Sequence, residues 1–261
     1  MTKSRTEPKS ILITGASSGI GEALALQYAA PGVVLALSGR DKARLQDVGK
    51  RCQALGADAQ PTVLDVTQTD KMRAWIKAFD RAHPLDLVIA NAGISAGSGH
   101  TGESETQARA IFDINLGGVI NTIWPAIDVM KPRKSGHIVV ISSLAAFTPL
   151  PGAPAYSASK VAVKAYAESL NGALKDDGIT VTCICPGFIE SRITDKNDFP
   201  MPLFMSGAKA ARIIQQGLNK GRANNRISLI FPWPMAAVSW FIGVLPPCFR
   251  RWILLKAPQK G

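Results

Sequence analysis

The chain has 261 residues, of which 46% are hydrophobic and 19% charged, and its formal net charge is +11. This length and composition predict a globular protein with a sizeable core and exclude a disordered chain. Residues 1–9 are polar, so no signal peptide is predicted there.

The positive charge is concentrated at one end of the chain. Nine basic residues follow Asp198 and no acidic residue does, so nine of the eleven net charges lie in the last quarter. No zinc-finger spacing, basic coiled coil or aromatic-basic strand accompanies them. We therefore expect a local basic feature and no nucleic-acid partner.

Apolar, β-rich runs alternate with longer helix-like segments. The predicted strands are Ile11–Thr14, Val33–Ser38, Thr62–Leu64, Leu85–Ala90, His137–Ser142, Ile179–Cys185 and Ile227–Phe231. The predicted helices are Ile20–Ala30, Lys42–Leu55, Gln68–Ala82, Glu103–Met130, Ala155–Asp176 and Ala208–Gly221. Mostly continuous apolar strands that alternate with helices predict a doubly wound α/β protein, with a parallel sheet covered on both faces. We expect residues 1–261 to form a single domain.

The cysteines and histidines predict neither disulfides nor a metal site. Cys183 and Cys185 lie in one strand-like run and are expected to be buried free thiols, in a reduced, cytoplasmic-type chain that also contains Cys52 and Cys248. The histidines His83, His100 and His137 are scattered, and none lies at metal-ligand spacing to another.

A glycine-rich turn connects the first strand to the first helix. Glycines in this position allow a tight turn and a close approach of the backbone to a pyrophosphate, and the helix N-terminus favours its charge. The turn therefore predicts a dinucleotide-binding site formed by Gly15, Ser17, Ser18, Gly19, Ile20 and Gly21.

The end of the second strand indicates which dinucleotide is preferred. An NAD-binding chain usually carries an acidic residue there for the ribose 2′-hydroxyl, but this chain has Arg40, and Asp41 follows it. A guanidinium suits a 2′-phosphate, and the Ser38 hydroxyl could be a further donor. NADP(H) is therefore predicted, with NAD(H) as the alternative.

Further candidate residues follow the later strands. Asp65, with Val66, could accept from the adenine amino group, and the small residues of the Asn91-Ala92-Gly93 turn let the chain pass close to the cofactor. After the sixth strand comes a turn whose backbone and Ser191 hydroxyl could hold a carboxamide, with Pro186, Gly187 and Ile189. Gly117 and Gly118 follow Asn115 inside a helical segment, which hints at close packing or a distorted turn there.

Tyr156 and Lys160 are four residues apart on one predicted helix, so the phenol and the ammonium share a face. Ser143 ends the fifth strand thirteen residues earlier. A strand end and the next helix both open at the carboxyl edge of such a sheet, which is the usual ligand crevice.

Together these motifs resemble the short-chain dehydrogenase/reductase family, in its single-domain branch, over about residues 10–225. The resemblance implies that Asn115, Ser143, Tyr156 and Lys160 form a catalytic tetrad. It also implies a strand order of 3-2-1-4-5-6-7 and a homodimer or homotetramer. Ser191 stands where the family often has threonine, which should keep the hydroxyl.

The residue types predict how a carbonyl would be reduced. Tyr156 is the expected proton donor, and Lys160 with the oxidised nicotinamide should favour its phenolate and lower the phenol pKa. Ser143 would hydrogen-bond the carbonyl oxygen. The resemblance implies that Lys160 also holds the nicotinamide ribose, and Asn115 would position a proton-relaying water.

Two segments should influence substrate choice. The first is Arg192–Ser206, and its apolar part Phe199–Met205 could be core or a lid over an apolar substrate. Residues 229–249 carry no charge, but prolines leave only Met235–Leu245 as an unbroken helix candidate, about half a bilayer core in length. With the following bases, the atypical segment at about 229–256 could contact a membrane peripherally, or could pack against another subunit or the substrate.

The leading hypothesis is an NADPH-dependent carbonyl reductase, or an alcohol dehydrogenase in reverse, acting on an apolar small molecule. A 3-oxoacyl-thioester reductase is the alternative among enzymes. A catalytically idle nucleotide-binding sensor or scaffold at the membrane is the alternative from another class. The complete tetrad argues against the last.

Overall fold

The structure is a computed structural model that describes residues 7–95, 103–195, 200–224 and 227–255. Its strands form one parallel sheet in the order β3-β2-β1-β4-β5-β6-β7. The strands are β1 Ser10–Thr14, β2 Val34–Gly39, β3 Asp58–Val63, β4 Leu87–Ala90, β5 Gly136–Ile141, β6 Ile179–Pro186 and β7 Ser228–Phe231. The Rossmann-type sheet and its predicted strand order are confirmed.

The helices that connect the strands cover both faces of the sheet. They are α1 Gly19–Tyr28, α2 Lys42–Ala54, α3 Thr69–Ala82, α4 Glu105–Phe112, α5 Gly118–Met130, α6 Pro154–Ala173, α7 Gly207–Asn224, α8 Trp233–Val244 and α9 Pro247–Leu255. A short 3-10 turn, Leu144–Ala146, follows β5.

Alternate side chains of the central strands point into two separate cores. Ile11 and Ile13 of β1 contribute to the core that contains residues of α1, α2 and α7, whereas Leu12 points to the other face, which α3, α5 and α6 cover. All five residues of β1 are buried. Burial on both faces explains why this strand is a continuous apolar run.

β3 begins four residues earlier than the predicted Thr62–Leu64 and ends at Val63. Its sequence, Asp-Ala-Gln-Pro-Thr-Val, is polar and half exposed because β3 is an edge strand that pairs only with β2. Pro61 is tolerated at such an edge. A prediction that depends on continuous apolar residues therefore detects only the end of this strand.

The predicted helix Glu103–Met130 is divided by a π-helical turn, Asp113–Gly117. Asn115 lies in this turn and is fully buried. A Cβ on Gly118 would lie 2.5 Å from Val66 Cγ2, so α5 approaches the chain after β3 closely. Both effects suggested by the two glycines, a distorted turn and close packing, are present.

The C-terminal segment contains two helices where the sequence predicted one. Pro234 lies in the first turn of α8 and Pro247 is the first residue of α9, positions at which proline is compatible with a helix. α8 spans only 12 residues. The continuous helical stretch Glu105–Arg133 is long and apolar enough to span a membrane, but it is half buried and forms part of the core.

Candidate active site

The carboxyl ends of the central strands open into a cavity of about 620 Å³. Most of the predicted site residues line it: Gly15, Ser17, Ser18, Gly19, Ile20, Arg40, Asp65, Val66, Asn91, Ala92, Gly93, Ser143, Tyr156, Lys160, Pro186, Gly187, Ile189 and Ser191. Three predicted residues, Gly21, Ser38 and Asn115, lie behind the wall of this cavity.

The glycine-rich turn needs its glycines for conformation and for space. Gly15 and Gly19 have φ angles of +66° and +59°, a region that disfavours side chains. A Cβ on Gly15 would lie 2.8 Å from Ala92 Cα. One on Gly19 would lie 2.9 Å from Ser191 Cβ. The turn therefore contacts the segments after β4 and β6, and side chains here would displace them.

Thr14 and Asn91 connect the first and fourth strands at this edge. The buried Thr14 hydroxyl accepts from the backbone N–H groups of Asn91 and Ala92, at 3.1 and 3.2 Å. The Asn91 amide donates to Thr14 O at 2.9 Å and to Gly15 O at 3.2 Å. The Asn91 side chain thus fixes the glycine-rich turn, and the backbone of its own turn forms the cavity wall.

Arg40 and Asp65 face each other across the outer end of the cavity. Arg40 Nη1 lies 3.8 Å from Asp65 Oδ2, and the Arg40 side chain is 62% exposed. Asp65 Oδ1 accepts from both the N–H and the hydroxyl of Thr67, at 2.9 Å each. The guanidinium therefore has an anionic neighbour on one side and open solvent on the other.

Ser38 does not lie where the sequence suggested. It is fully buried in β2, and its hydroxyl has no hydrogen-bond partner among the described residues. Its backbone carbonyl accepts from Ala16 N at 2.8 Å, which fixes the start of the glycine-rich turn. In this arrangement the Ser38 hydroxyl does not reach the cavity.

Tyr156 and Ser143 meet at the inner end of the cavity. The Ser143 hydroxyl lines the cavity beside the Tyr156 phenol and favours its phenolate, which by itself would lower the phenol pKa. Burial has the larger effect and raises the pKa of Tyr156 above its usual value. Ser143 also accepts from Ala145 N at 3.1 Å, which fixes its rotamer at the start of the 3-10 turn.

Lys160 is almost completely buried beneath the same site. Burial lowers the pKa of its ammonium to about 8. Its Nζ donates to Ile141 O at 3.0 Å and lies 5.5 Å from the centre of the Tyr156 ring. In addition, the Ser142 hydroxyl donates to Lys160 O at 2.8 Å, so the end of β5 is bonded to α6 at two points.

Asn115 contacts the active site from behind. Its Oδ1 accepts from Ile94 N at 2.8 Å, and its Nδ2 donates to Ile94 O at 2.9 Å and to Ser159 Oγ at 3.0 Å. Ser159 Oγ donates in turn to Tyr156 O. A Cβ on Gly93 would lie 3.2 Å from Asn115 Oδ1 and 3.5 Å from Lys160 Nζ, so only glycine leaves the space between these groups open.

The sequence of this chain matches the profile of the family described as short chain dehydrogenase over residues 9–200. The chain belongs to this family. An uncharacterized oxidoreductase of Myxococcus xanthus is 40% identical to this short chain dehydrogenase over 239 residues, which cover 91% of this chain and 93% of that protein. The chain is accordingly an oxidoreductase of the family.

Solved structures share the fold of this short chain dehydrogenase at lower identity. A short chain dehydrogenase/reductase from Burkholderia phymatum, in complex with NAD, has a TM-score of 0.80 at 22% identity and covers 98% of both chains. A short-chain dehydrogenase from Sphingobium yanoikuyae, in complex with NADPH, has a TM-score of 0.78 at 24% identity and covers 97% of both. These likenesses concern the fold.

Several residues around the site escaped sequence analysis. Arg44 lines the cavity beside Arg40, and its Nη2 lies 2.8 Å from Asp41 Oδ2. Asp41 also caps α2 by accepting from Arg44 N at 3.0 Å. The spacing Arg-Asp-x-x-Arg after a strand could have revealed this pair, because an N-cap aspartate places the second arginine in the first helical turn. Arg192, the first residue of the predicted substrate segment Arg192–Ser206, also lines the cavity.

Glu103 is a second unpredicted residue, and it acts on the helix that carries Tyr156. The N-cap residue of α6, Ala153, makes no side-chain cap. Glu103 Oε1 accepts instead from Ala155 N at 3.0 Å, across 52 residues of sequence. A carboxylate at a helix N-terminus also interacts favourably with the helix dipole. No local pattern identifies such a distant cap.

The loop before α7 is attached to the segment after β6. Met205 is buried and pairs with Ile189, so it belongs to the core. Leu203 and Phe204 are half exposed. The loop that was predicted as core or lid therefore contains one core residue and two partly exposed residues. Phe199 lies outside the described residues.

Among the described histidines and cysteines, none lines the cavity. His137 is buried in β5 with its Nε2 2.9 Å from Thr182 Oγ1, and the His83 ring packs against Phe79. His100 lies outside the described residues. The cysteines are free thiols, and Cys183 and Cys185 are buried as expected. Within the described residues, no three His, Cys, Asp or Glu side chains approach as a metal site would require.

Proposed function

We propose that this short chain dehydrogenase is an NADPH-dependent carbonyl reductase, or an alcohol dehydrogenase in reverse, that acts on an apolar small molecule. One observation carries the proposal. Tyr156, Ser143 and Lys160 line the same cavity as the glycine-rich turn. A proton donor and a cofactor cradle therefore open into one space, as hydride transfer to a carbonyl requires.

The residues around the cavity fit a nicotinamide dinucleotide. Gly15 and Gly19 let the turn pack tightly against the segments after β4 and β6, and the N-terminus of α1 opens into the cavity beside Ile20. Free N–H groups at a helix N-terminus favour a pyrophosphate. When bound, the reduced cofactor supplies a hydride to the carbonyl carbon.

The residues of the chain supply the proton and stabilise the developing charge. Tyr156 donates its phenolic proton to the carbonyl oxygen, and Ser143 hydrogen-bonds the same oxygen. The charged Lys160 ammonium, 5.5 Å from the phenol ring centre, stabilises the phenolate that forms. Asn115 and Ser159 hold Lys160's helix and Ile94 in place through the bonds described above.

Arg40 and Arg44 support a preference for NADPH over NADH. Both line the outer end of the cavity, where the 2′-phosphate of NADP would lie next to the second strand. Asp41 and Asp65 balance the formal charge of the two guanidiniums, so the preference depends on their donors. Arg40 Nη1 lies 3.8 Å from Asp65 Oδ2, beyond hydrogen-bond distance, so the exposed guanidinium keeps its donors for a 2′-phosphate. Ser38 is buried away from the cavity, so its hydroxyl does not contribute to this preference.

The apolar substrate class is supported by the loops that border the cavity. Ile94, Ile189 and Ile193 lie in the loops after β4 and β6 and line the cavity. Apolar side chains that line an active-site cleft favour an apolar ligand.

We further propose a homodimer or homotetramer of single-domain subunits in the cytoplasm. Ile120 and Trp124 of α5 and Val161 of α6 are exposed apolar residues that a subunit contact would cover. The free thiols are compatible with a reducing compartment. Light scattering on the purified protein measures the subunit number directly.

A screen of NADPH oxidation over ketones, aldehydes, steroids and 3-oxoacyl-thioesters tests the proposed function. We expect turnover of apolar ketones or aldehydes. Turnover of thioesters alone would replace the proposal by a 3-oxoacyl-thioester reductase. NADPH binding without oxidation of any class would contradict an enzymatic function and favour a nucleotide-binding sensor.

A further inference from the structure

The C-terminal helix pair, α8 and α9, presents an apolar surface that nothing in the described structure covers. The exposed fractions are 77% for Trp233, 59% for Val238, 58% for Trp240, 59% for Phe241 and 58% for Val244 on α8, and 62% for both Phe249 and Trp252 on α9. No residue of α8 is buried. Large apolar surfaces of this kind mark contact with a membrane or another protein.

α8 is apolar on its outward side as well as on the side that packs. Met235, Ser239 and Gly243 share the inward side: the Thr148 hydroxyl donates to Ser239 O at 2.6 Å, and a Cβ on Gly243 would overlap Phe147 O. A surface helix in water normally carries polar residues opposite its packing face. α8 carries Trp, Val and Phe there instead.

The charge pattern favours an anionic surface as the occupant. Arg251 is exposed on α9, Arg250 beside it is partly buried and its Nη1 donates to Gly243 O at 3.3 Å, and no Asp or Glu follows Asp198 in the sequence. A second copy of the chain, docked through the same surface about a two-fold axis, would present the same basic segment and no carboxylate from it to pair with these arginines. Anionic lipid headgroups pair with them directly.

The size and composition of the surface favour contact without spanning. The 12 residues of α8 rise about 18 Å, well short of the roughly 30 Å hydrocarbon core. Three of the chain's five tryptophans, Trp233, Trp240 and Trp252, lie in this helix pair and are exposed. Tryptophan is enriched at the boundary between headgroups and hydrocarbon.

We propose that the C-terminal helix pair docks this protein on the interface of an anionic lipid bilayer. Because α8 packs on the loop that follows Ser143, docking would bring the Ser143 end of the cavity close to the bilayer. This docking goes beyond the proposed reaction and needs no turnover, so Tyr156→Phe should bind vesicles like the wild type. A failure of vesicle binding and a failure of catalysis are therefore distinguishable.

Flotation of the full-length protein with lipid vesicles tests the proposal. One vesicle set is phosphatidylcholine alone, and the other contains about a third phosphatidylglycerol. We expect the protein to float with the anionic vesicles, with at least about tenfold weaker binding to the neutral ones or in high salt. Protein that stays at the bottom of the gradient with both vesicle sets would overturn the proposal.

Matched variants localise the contact. Val238→Gln on α8 should weaken flotation several-fold, whereas Val63→Gln, which is similarly exposed on the opposite edge strand β3, should not. The double variant Trp240→Gln/Phe241→Gln should reduce binding at least about tenfold. Equal losses for Val63→Gln and Val238→Gln would contradict docking through this surface. So would a double variant that keeps vesicle binding but lowers the oligomer mass, because a second copy would then be the occupant.

Discussion

At the residue scale, burial shifts the pKa values of both Lys160 and Tyr156 in the candidate site. The Lys160 side chain is only 5% exposed, and burial lowers the pKa of the ammonium from 10.5 to about 8. The same burial raises the pKa of Tyr156. In the free protein the phenol is therefore neutral near pH 7, as a proton donor must be, and Lys160 keeps enough basicity to be charged.

The lowered pKa of Lys160 makes protein stability depend on pH. Between about pH 8 and 10.5 the unfolded state binds more protons than the folded state, so stability rises with pH across this window. Relative to Lys160→Met, the wild type should gain roughly 3 kcal/mol between pH 7 and pH 10.5. Urea unfolding at both pH values measures the gain, and Lys209→Met on an exposed position of α7 should show none. An unchanged difference between wild type and Lys160→Met would contradict the buried ammonium.

Arg40 is the residue on which the proposed cofactor preference depends most. Arg40→Ala should raise KM for NADPH on the order of tenfold or more while leaving KM for NADH nearly unchanged, because only NADPH carries the 2′-phosphate. Arg109→Ala, which removes an exposed arginine of α4 paired with Glu105, is the matched control and should change neither. Equal effects of Arg40→Ala on both cofactors would remove the assignment.

At the element scale, the π turn before α5 distinguishes two adjacent glycines. A Cβ on Gly118 would lie 2.5 Å from Val66 Cγ2, whereas the nearest atom to a Cβ on Gly117 is Phe112 O at 3.9 Å. Both residues have negative φ, so neither needs glycine for its backbone conformation. The two positions therefore differ in the space that is available for a Cβ.

This difference predicts opposite effects for two substitutions. Gly118→Ala should lower the free energy of unfolding by about 1–3 kcal/mol and weaken cofactor binding, because Val66 lines the cavity. Gly117→Ala should raise the free energy of unfolding by up to about 1 kcal/mol, because alanine favours the helix more than glycine does. Urea unfolding compares the two. A Gly118→Ala variant as stable as Gly117→Ala would contradict the close packing of α5.

The sequence predicts best those strands that are buried on both faces and are therefore continuous apolar runs. β1, β5 and β6 are continuous apolar runs because both of their faces are covered, and their predicted bounds differ from the structure by at most one residue at each end. β3 was shortened because an edge strand is polar, and α9 was missed because its first residue, Pro247, was interpreted as a helix breaker. For β3 the position at the edge of the sheet decides, and for α9 the position of the proline at the first residue of the helix decides.

At the scale of the whole molecule, the strand order explains why distant motifs form one site. Parallel strands place all their carboxyl ends at one edge, so the glycine-rich turn and the segments after β4, β5 and β6 converge there. The sequence motifs predicted this convergence for most of the site. Glu103 could not be predicted in the same way, because its role depends on a contact made across the fold.

The cavity and the C-terminal helix pair are separate parts of the molecule. The cavity contains the groups for proton donation and cofactor binding, and the helix pair α8 and α9 packs beside it through Thr148 and Ser239. The segment that sequence analysis left open between membrane, subunit and substrate is exposed in the described structure. Its partner is therefore testable without knowledge of the substrate.

The turnover of Tyr156→Phe tests the central claim most directly. With the carbonyl compound found in the NADPH-oxidation screen, this variant should lose turnover on the order of 1,000-fold or more, because no other phenol faces Ser143 in the described site. Its Kd for NADPH, measured by fluorescence titration, should stay within about twofold of the wild type. Tyr166→Phe, on the same helix, is the matched control and should keep full activity. Substantial turnover by Tyr156→Phe would contradict the assignment of Tyr156 as the proton donor.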